Sequence, residues 1–172
     1  NNLQIISSLL RLQSGAVGEN ENVTLIESVN RVNTMAMIHD KMYKSDTFQE
    51  FDLSNYVENL VVCICDSYPV GKELKSRVEV DNFVVSTETM VPLAMIINEL
   101  ITNSIKHAFA KQPDPRIELR ISGLSATQFE LFYRDNGRWK ESQNAFGSEI
   151  IDAMTEQLEG KQVIDKHPNR KS

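Results

Sequence analysis

The chain has 172 residues, 41% of them hydrophobic and 24% charged, with a net charge of −6. That is room for a small domain with a helical appendage, and no apolar run reaches the roughly 20 residues needed to cross a bilayer. The acidic balance argues against a general nucleic-acid binder, which needs clustered Lys and Arg to displace counterions from the backbone.

Leu3, Ile6 and Leu10, flanked by Ile5, Leu9 and Leu12, recur at helical spacing until Gly15 and Gly18 break the pattern. After Asn22 a stricter repeat begins. Leu25, Val29, Val32, Ala36, His39 and Tyr43 step by four and three alternately, the seam of a heptad. Two helices with a short connection predict an antiparallel hairpin over residues 1–46. Its apolar faces exceed what the two helices cover mutually, so a homodimer through residues 1–43 is expected, as a four-helix bundle. The start in Asn1-Asn2-Leu3-Gln4, within a helical pattern, reads as a piece of a longer protein.

Residues 45–50 are a polar junction to a second domain at 47–172. Asp52 is a candidate N-cap for a helix carrying Leu53, Tyr56, Val57, Leu60, Val61 and Ile64, closed before Pro69 and Gly71. Cys63 and Cys65, two apart on a helix, point to different faces and predict neither disulfide nor metal site. Val78–Val80 and Phe83–Val85 flank Asp81-Asn82 as a short hairpin. A long helix follows over 89–110, with Pro92 in its first turn. Ile117, Leu119 and Ile121, then Phe129, Leu131 and Tyr133 after a turn at Gly123, alternate with polar residues as half-buried strands. A helix over 148–158 stops at Gly160, and residues 162–165 form a candidate closing strand. The fold class is therefore α+β: a helical hairpin followed by an α/β sandwich with helices on one face of a mixed sheet.

Chemistry concentrates in two segments. In Pro92-Leu-Ala-Met-Ile-Ile-Asn98-Glu99-Leu-Ile-Thr-Asn103-Ser-Ile-Lys106-His107-Ala, a regular helix would line up Glu99, Asn103 and His107, four apart, with Lys106 on the same stripe. A carboxylate, an amide, a cation and an imidazole in one row suit a hydrated Mg²⁺ and phosphates, although such a row in isolation is more often a solvated face. In Tyr133-Arg-Asp135-Asn-Gly137 a strand ends on an acid that can accept from an exocyclic amine such as adenine N6. Gly137 lets the chain turn away close to a planar ring.

In this order, the two segments resemble the N box and first glycine box of the Bergerat (GHKL) ATP-binding fold. The runs Asn1-Asn-Leu-Gln-Ile-Ile-Ser-Ser-Leu-Leu-Arg-Leu-Gln-Ser and Asn30-Arg-Val-Asn-Thr-Met-Ala-Met-Ile-His39-Asp-Lys-Met-Tyr43 resemble the dimerisation and phosphotransfer segment of the second HisKA-type subfamily of sensor histidine kinases. The resemblance implies catalytic roles for Glu99 and Asn103, and Mg²⁺ held by Asn103 with Glu99 acting through water. It implies ATP contacts from Asn103, Lys106, His107, Asp135, Gly137 and Gly147. It further implies γ-phosphoryl transfer to a histidine upstream of Asn1, then to an aspartate on a response regulator receiver domain. A cytoplasmic location without membrane contact by this segment goes with it. Two departures stand out. The acceptor histidine is not in this chain, and Phe146-Gly147-Ser148-Glu149 keeps one glycine where relatives carry a Gly-Leu-Gly-Leu-like run, which leaves a non-catalytic scaffold on the same architecture as the alternative.

Overall fold

The computed structural model describes residues 31, 32, 34, 53–66, 68, 74–83, 85–109, 112–138 and 146–164. The expected first hairpin helix, the dimer contacts over 1–43, His39, Trp139 and His167 lie outside them. Within the described residues the order is α1 (Leu53–Asp66), β1 (Lys75–Val80), α2 (Thr87–Asn103), a π-helical turn (Ser104–Ala108), β2 (Arg116–Gly123), β3 (Phe129–Asp135) and α3 (Phe146–Gln157).

The sheet is mixed, in the order β1-β2-β3, with β1 parallel and β3 antiparallel to β2. Alternation decides its two faces. Val78 and Val80 on β1, Ile117, Leu119 and Ile121 on β2, and Leu131, Tyr133 and Asp135 on β3 share one face by register. That face joins Leu60, Val61, Leu93, Ile97, Ile101 and Ile150 from the helices in one core. The opposite face carries Arg77, Glu79, Glu118, Arg120 and Arg134, both signs interleaved in exposed ion pairs that each contribute little. Helix α2 packs against both α1 and α3, and α1 against β1. Its central position accounts for burial all round from Met90 to Glu99.

Three expectations are corrected. Residues 83 and 85 are not in a strand. Instead β1 runs parallel to β2 and its ladder continues through Asp81, whose N–H donates to Ile121 O at 2.9 Å. The Asp81 carboxylate accepts from Gly123 N at 3.2 Å, so the turn vocabulary of Asp81-Asn82 serves to end a strand, not to reverse one. Helix α2 starts earlier than expected because Ser86 caps it, its side chain accepting from Thr89 N. That puts Pro92 in the second turn. Residues 161–164 form no strand, and Val163 stays 95% exposed. Val32, from the expected heptad seam, is 50% exposed in the single chain, which leaves the dimer expectation untouched. Arg31 and Thr34, three apart on the same helical face, are the buried residues. Cys63 and Cys65 are not joined in a disulfide.

Candidate functional site

The last turns of α2 and the end of β3 meet at one place, and the π-turn shapes it. At Ser104–Ala108 the helix widens, with Phe109 N donating to Ser104 O at 3.1 Å across five residues instead of four. The extra residue per turn shifts every side chain after it relative to the preceding helix. The regular stripe expected from Glu99 through Asn103 to Lys106 and His107 is therefore interrupted. Glu99 is 1% exposed while Asn103, Lys106 and His107 are half-buried.

Glu99 faces Arg31. Arg31 donates to both of its oxygens, Nε to Oε1 at 2.6 Å and Nη2 to Oε2 at 2.9 Å, and Asn98 Nδ2 adds a bond of 3.2 Å. Both partners are enclosed, Arg31 at 4% and Glu99 at 1% exposure. The fork-on-fork geometry is the one in which a guanidinium matches a carboxylate best. A solvated helix face is excluded for Glu99 by this burial. The metal role expected of Glu99 meets a carboxylate whose oxygens Arg31 already engages.

Asp135 is held from two sides. Its Oδ1 accepts from Gly137 N at 2.8 Å, a tight turn closed by the residue's own side chain, and its Oδ2 accepts from Ser104 Oγ at 2.8 Å. Behind Ser104 stands Tyr133, whose hydroxyl donates to Ser104 Oγ at 2.8 Å. Burial pushes the Tyr133 phenol well above its ordinary range, which keeps it a donor. Gly137 lies so close to Ala108 that a Cβ there would sit 2.5 Å from Ala108 Cβ and 2.6 Å from its carbonyl oxygen. No side chain fits, which gives the glycine a packing reason alongside the expected approach of a ring. Arg138 N donates to Ala108 O at 2.9 Å in the same seam. Asn136 ties the turn to the start of β2: its Oδ1 accepts from Arg116 N at 2.8 Å and its Nδ2 donates to Asp114 O at 2.9 Å.

Partial burial disfavours the charged forms of both basic residues of the site. Burial lowers Lys106 to about 8. His107 is also lowered, first by burial and then by the neighbouring Lys106 charge. Asn103, at the start of the π-turn, spends no side-chain hydrogen bond on capping it. Gly147 belongs to the first turn of α3, with Glu149 exposed in the same turn. Among the described residues, no group of three or more His, Cys, Asp or Glu side chains could hold a metal ion.

Sequence reasoning passed over Arg31, Ser104, Tyr133 and Asn136. Arg31 is 68 positions from Glu99 and gives no local signal. Tyr133 does give one, since a strand places it on the same face as Asp135.

Residues 1–68 match the HisKA_2 histidine kinase family. Over nearly its whole length the chain is similar to sensor histidine kinases. It is 29% identical over 168 residues to sensor histidine kinase PdtaS of Mycolicibacterium smegmatis, covering 93% of this chain and 34% of that one. It is 26% identical over 173 residues to blue-light-activated histidine kinase 2 of Erythrobacter litoralis, covering 92% and 48%. The chain thus spans about a third to a half of these relatives. Among solved structures, the histidine kinase domain of the Erythrobacter litoralis EL346 blue-light-activated histidine kinase superposes with a TM-score of 0.66 at 24% identity. That match covers 91% of this chain and 76% of the other, and supports the mixed α+β fold. No helix among the described residues is long and apolar enough to cross a membrane.

Proposed function

We propose that this chain is the kinase core of a two-component sensor, binding Mg-ATP between α2, the π-turn and the end of β3. In this reading the γ-phosphoryl passes to a histidine upstream of Asn1 and then to an aspartate of a response regulator receiver domain. The observation that carries the reading is Asp135: an acceptor at a strand end, fixed against the helix that bears Asn103, Lys106 and His107. Asp135 would accept from the adenine amine, and Gly137 would leave the ring room. Asn103 would ligate Mg²⁺, which supplies charge neutralisation for the transferring phosphoryl group. Lys106 and His107 would meet the phosphates. The chemistry asks mainly for positioning and charge, which this residue set can provide. The scaffold alternative gains from the single glycine at Gly147, but it gives no reason for a half-buried Lys106 and His107 on the helix that orients the Asp135 carboxylate.

Calorimetric titration with Mg-ATP tests the site. Asp135→Ala is expected to weaken binding by roughly 1.5–3 kcal/mol, the net worth of a hydrogen bond to a charged group. Unchanged affinity would show that Asp135 does not read the base.

Lys106 gives an independent check. Its depressed value means that it loses its proton as pH rises through about 8. A triphosphate beside it favours the charged form and raises that value again. Binding near pH 8.5 is therefore expected to take up a proton, seen as a dependence of the measured enthalpy on the buffer's ionisation enthalpy. Lys106→Met should abolish the uptake, and equal uptake in that variant would remove Lys106 from the phosphate site.

A further inference from the structure

Tyr133, Ser104 and Asp135 form a chain whose donor directions are determined end to end. As a carboxylate Asp135 only accepts, so the single Ser104 proton must go to Oδ2, at 2.8 Å. With its proton committed, Ser104 Oγ must accept, and Tyr133 supplies the donor at 2.8 Å. Tyr133 cannot reverse the chain by ionising, because burial raises its phenol. The other oxygen, Oδ1, is fixed by Gly137 N. Two anchors, one on each oxygen, set the plane of the carboxylate as well as its position. The anchors come from different elements, since Ser104 opens the π-turn and Gly137 follows β3. The two elements are themselves pinned by the Arg138 N to Ala108 O bond.

We propose that Ser104 and Tyr133 are positioning residues that orient Asp135 to accept from an amino-bearing purine edge and to reject a keto-bearing one. The proposal rests on the nucleotide reading above and deepens it by naming what sets base choice. A carboxylate held in one plane meets an amine with a lone pair already aimed. Against a carbonyl oxygen it presents only another acceptor, a buried mismatch that hydrogen-bonding sites discriminate strongly. A carboxylate free to rotate would keep its charge but lose much of this selectivity, because water could bridge it to either edge.

The test compares Mg-ATP and Mg-GTP binding to the whole chain by calorimetry, for the unaltered protein and for Ser104→Ala, Ser104→Thr, Tyr133→Phe and Asp135→Ala. The unaltered chain should prefer ATP. Ser104→Ala should lower ATP affinity about tenfold while GTP affinity holds or rises, so that the ratio of the two falls. Ser104→Thr, which keeps the hydroxyl, should restore the ratio, and Tyr133→Phe should move it in the same direction as Ser104→Ala by a smaller factor. A purely structural lesion would weaken both nucleotides alike, and the threonine variant keeps the result readable if the alanine variant folds poorly. An ATP/GTP ratio unmoved by Ser104→Ala and Tyr133→Phe, while Asp135→Ala collapses it, overturns the positioning role and leaves the nucleotide site standing. Unchanged ATP affinity in Asp135→Ala overturns the site itself, and the positioning role with it.

Discussion

Arg31→Ala is expected to destabilise the chain by about 3–5 kcal/mol, the cost of leaving one member of a buried ion pair without its partner. The residue that suffers is Glu99, enclosed at 1% exposure with both oxygens engaged by the guanidinium. Asn98 Nδ2, at 3.2 Å, is too weak a substitute for two charge-assisted bonds. The loss has a ceiling, set by how far water reaches the carboxylate once the guanidinium is gone. Rehydration would then replace the full penalty with the smaller cost of losing the packing of Arg31. Urea unfolding separates the two. A lowered midpoint with an unchanged slope means the pair is lost in place, whereas a reduced slope means that native surface has opened. Arg31→Lys should recover only part of the loss, since an ammonium cannot match both oxygens at once. Arg31→Met with Glu99→Leu should come close to the unaltered stability, because an apolar pair of similar volume carries no desolvation cost. A change below about 1 kcal/mol for Arg31→Ala, the range of exposed ion pairs, would show that the contact does not hold α2 to the segment bearing Arg31.

That pair also marks the limit of what local pattern reveals. The alternation of Ile117, Leu119 and Ile121 and of Phe129, Leu131 and Tyr133 predicts β2 and β3, and both form because the two-residue period is a local property. The helical spacing of Leu93, Ile96, Ile97, Leu100 and Ile101 predicts α2 for the same reason. The parallel pairing of β1 with β2 is a contact between distant segments, and Asp81-Asn82 reads equally as hairpin turn or strand exit. At the site, Asp135 and Gly137 are legible from composition at a strand end. The burial of Glu99, the Ser104 bond and the fit of Gly137 on Ala108 all depend on one element meeting another. The π-turn escapes prediction differently: Ser104–Ala108 has unexceptional helix vocabulary, and only the five-residue bond to Phe109 distinguishes it.

Phosphoryl transfer should show the largest effect of all. The chain of 172 residues has three histidines: His39, His107 and His167. His107 is half-buried beside Lys106, on the side of the site proposed to hold the phosphates, and burial together with the Lys106 charge lowers it. A ring fixed alongside the phosphates does not lie in line behind the γ-phosphorus, and in-line placement is what the reaction demands. Near-attack placement accounts for roughly 7–11 kcal/mol of a barrier, so a histidine without it transfers below detection. Incubation with radiolabelled ATP is therefore expected to leave this chain without acid-labile, base-stable label. A protein extended through the residues that precede Asn1 is expected to acquire that label on a histidine there, and Asn103→Ala in the extended protein to lose it with its Mg²⁺ ligand. Label on His39 in the 172-residue chain would relocate the acceptor to the second helical pattern. Label persisting in the extended Asn103→Ala protein would detach Asn103 from the metal, and the reading of α2 as the phosphate-facing helix would fall with it.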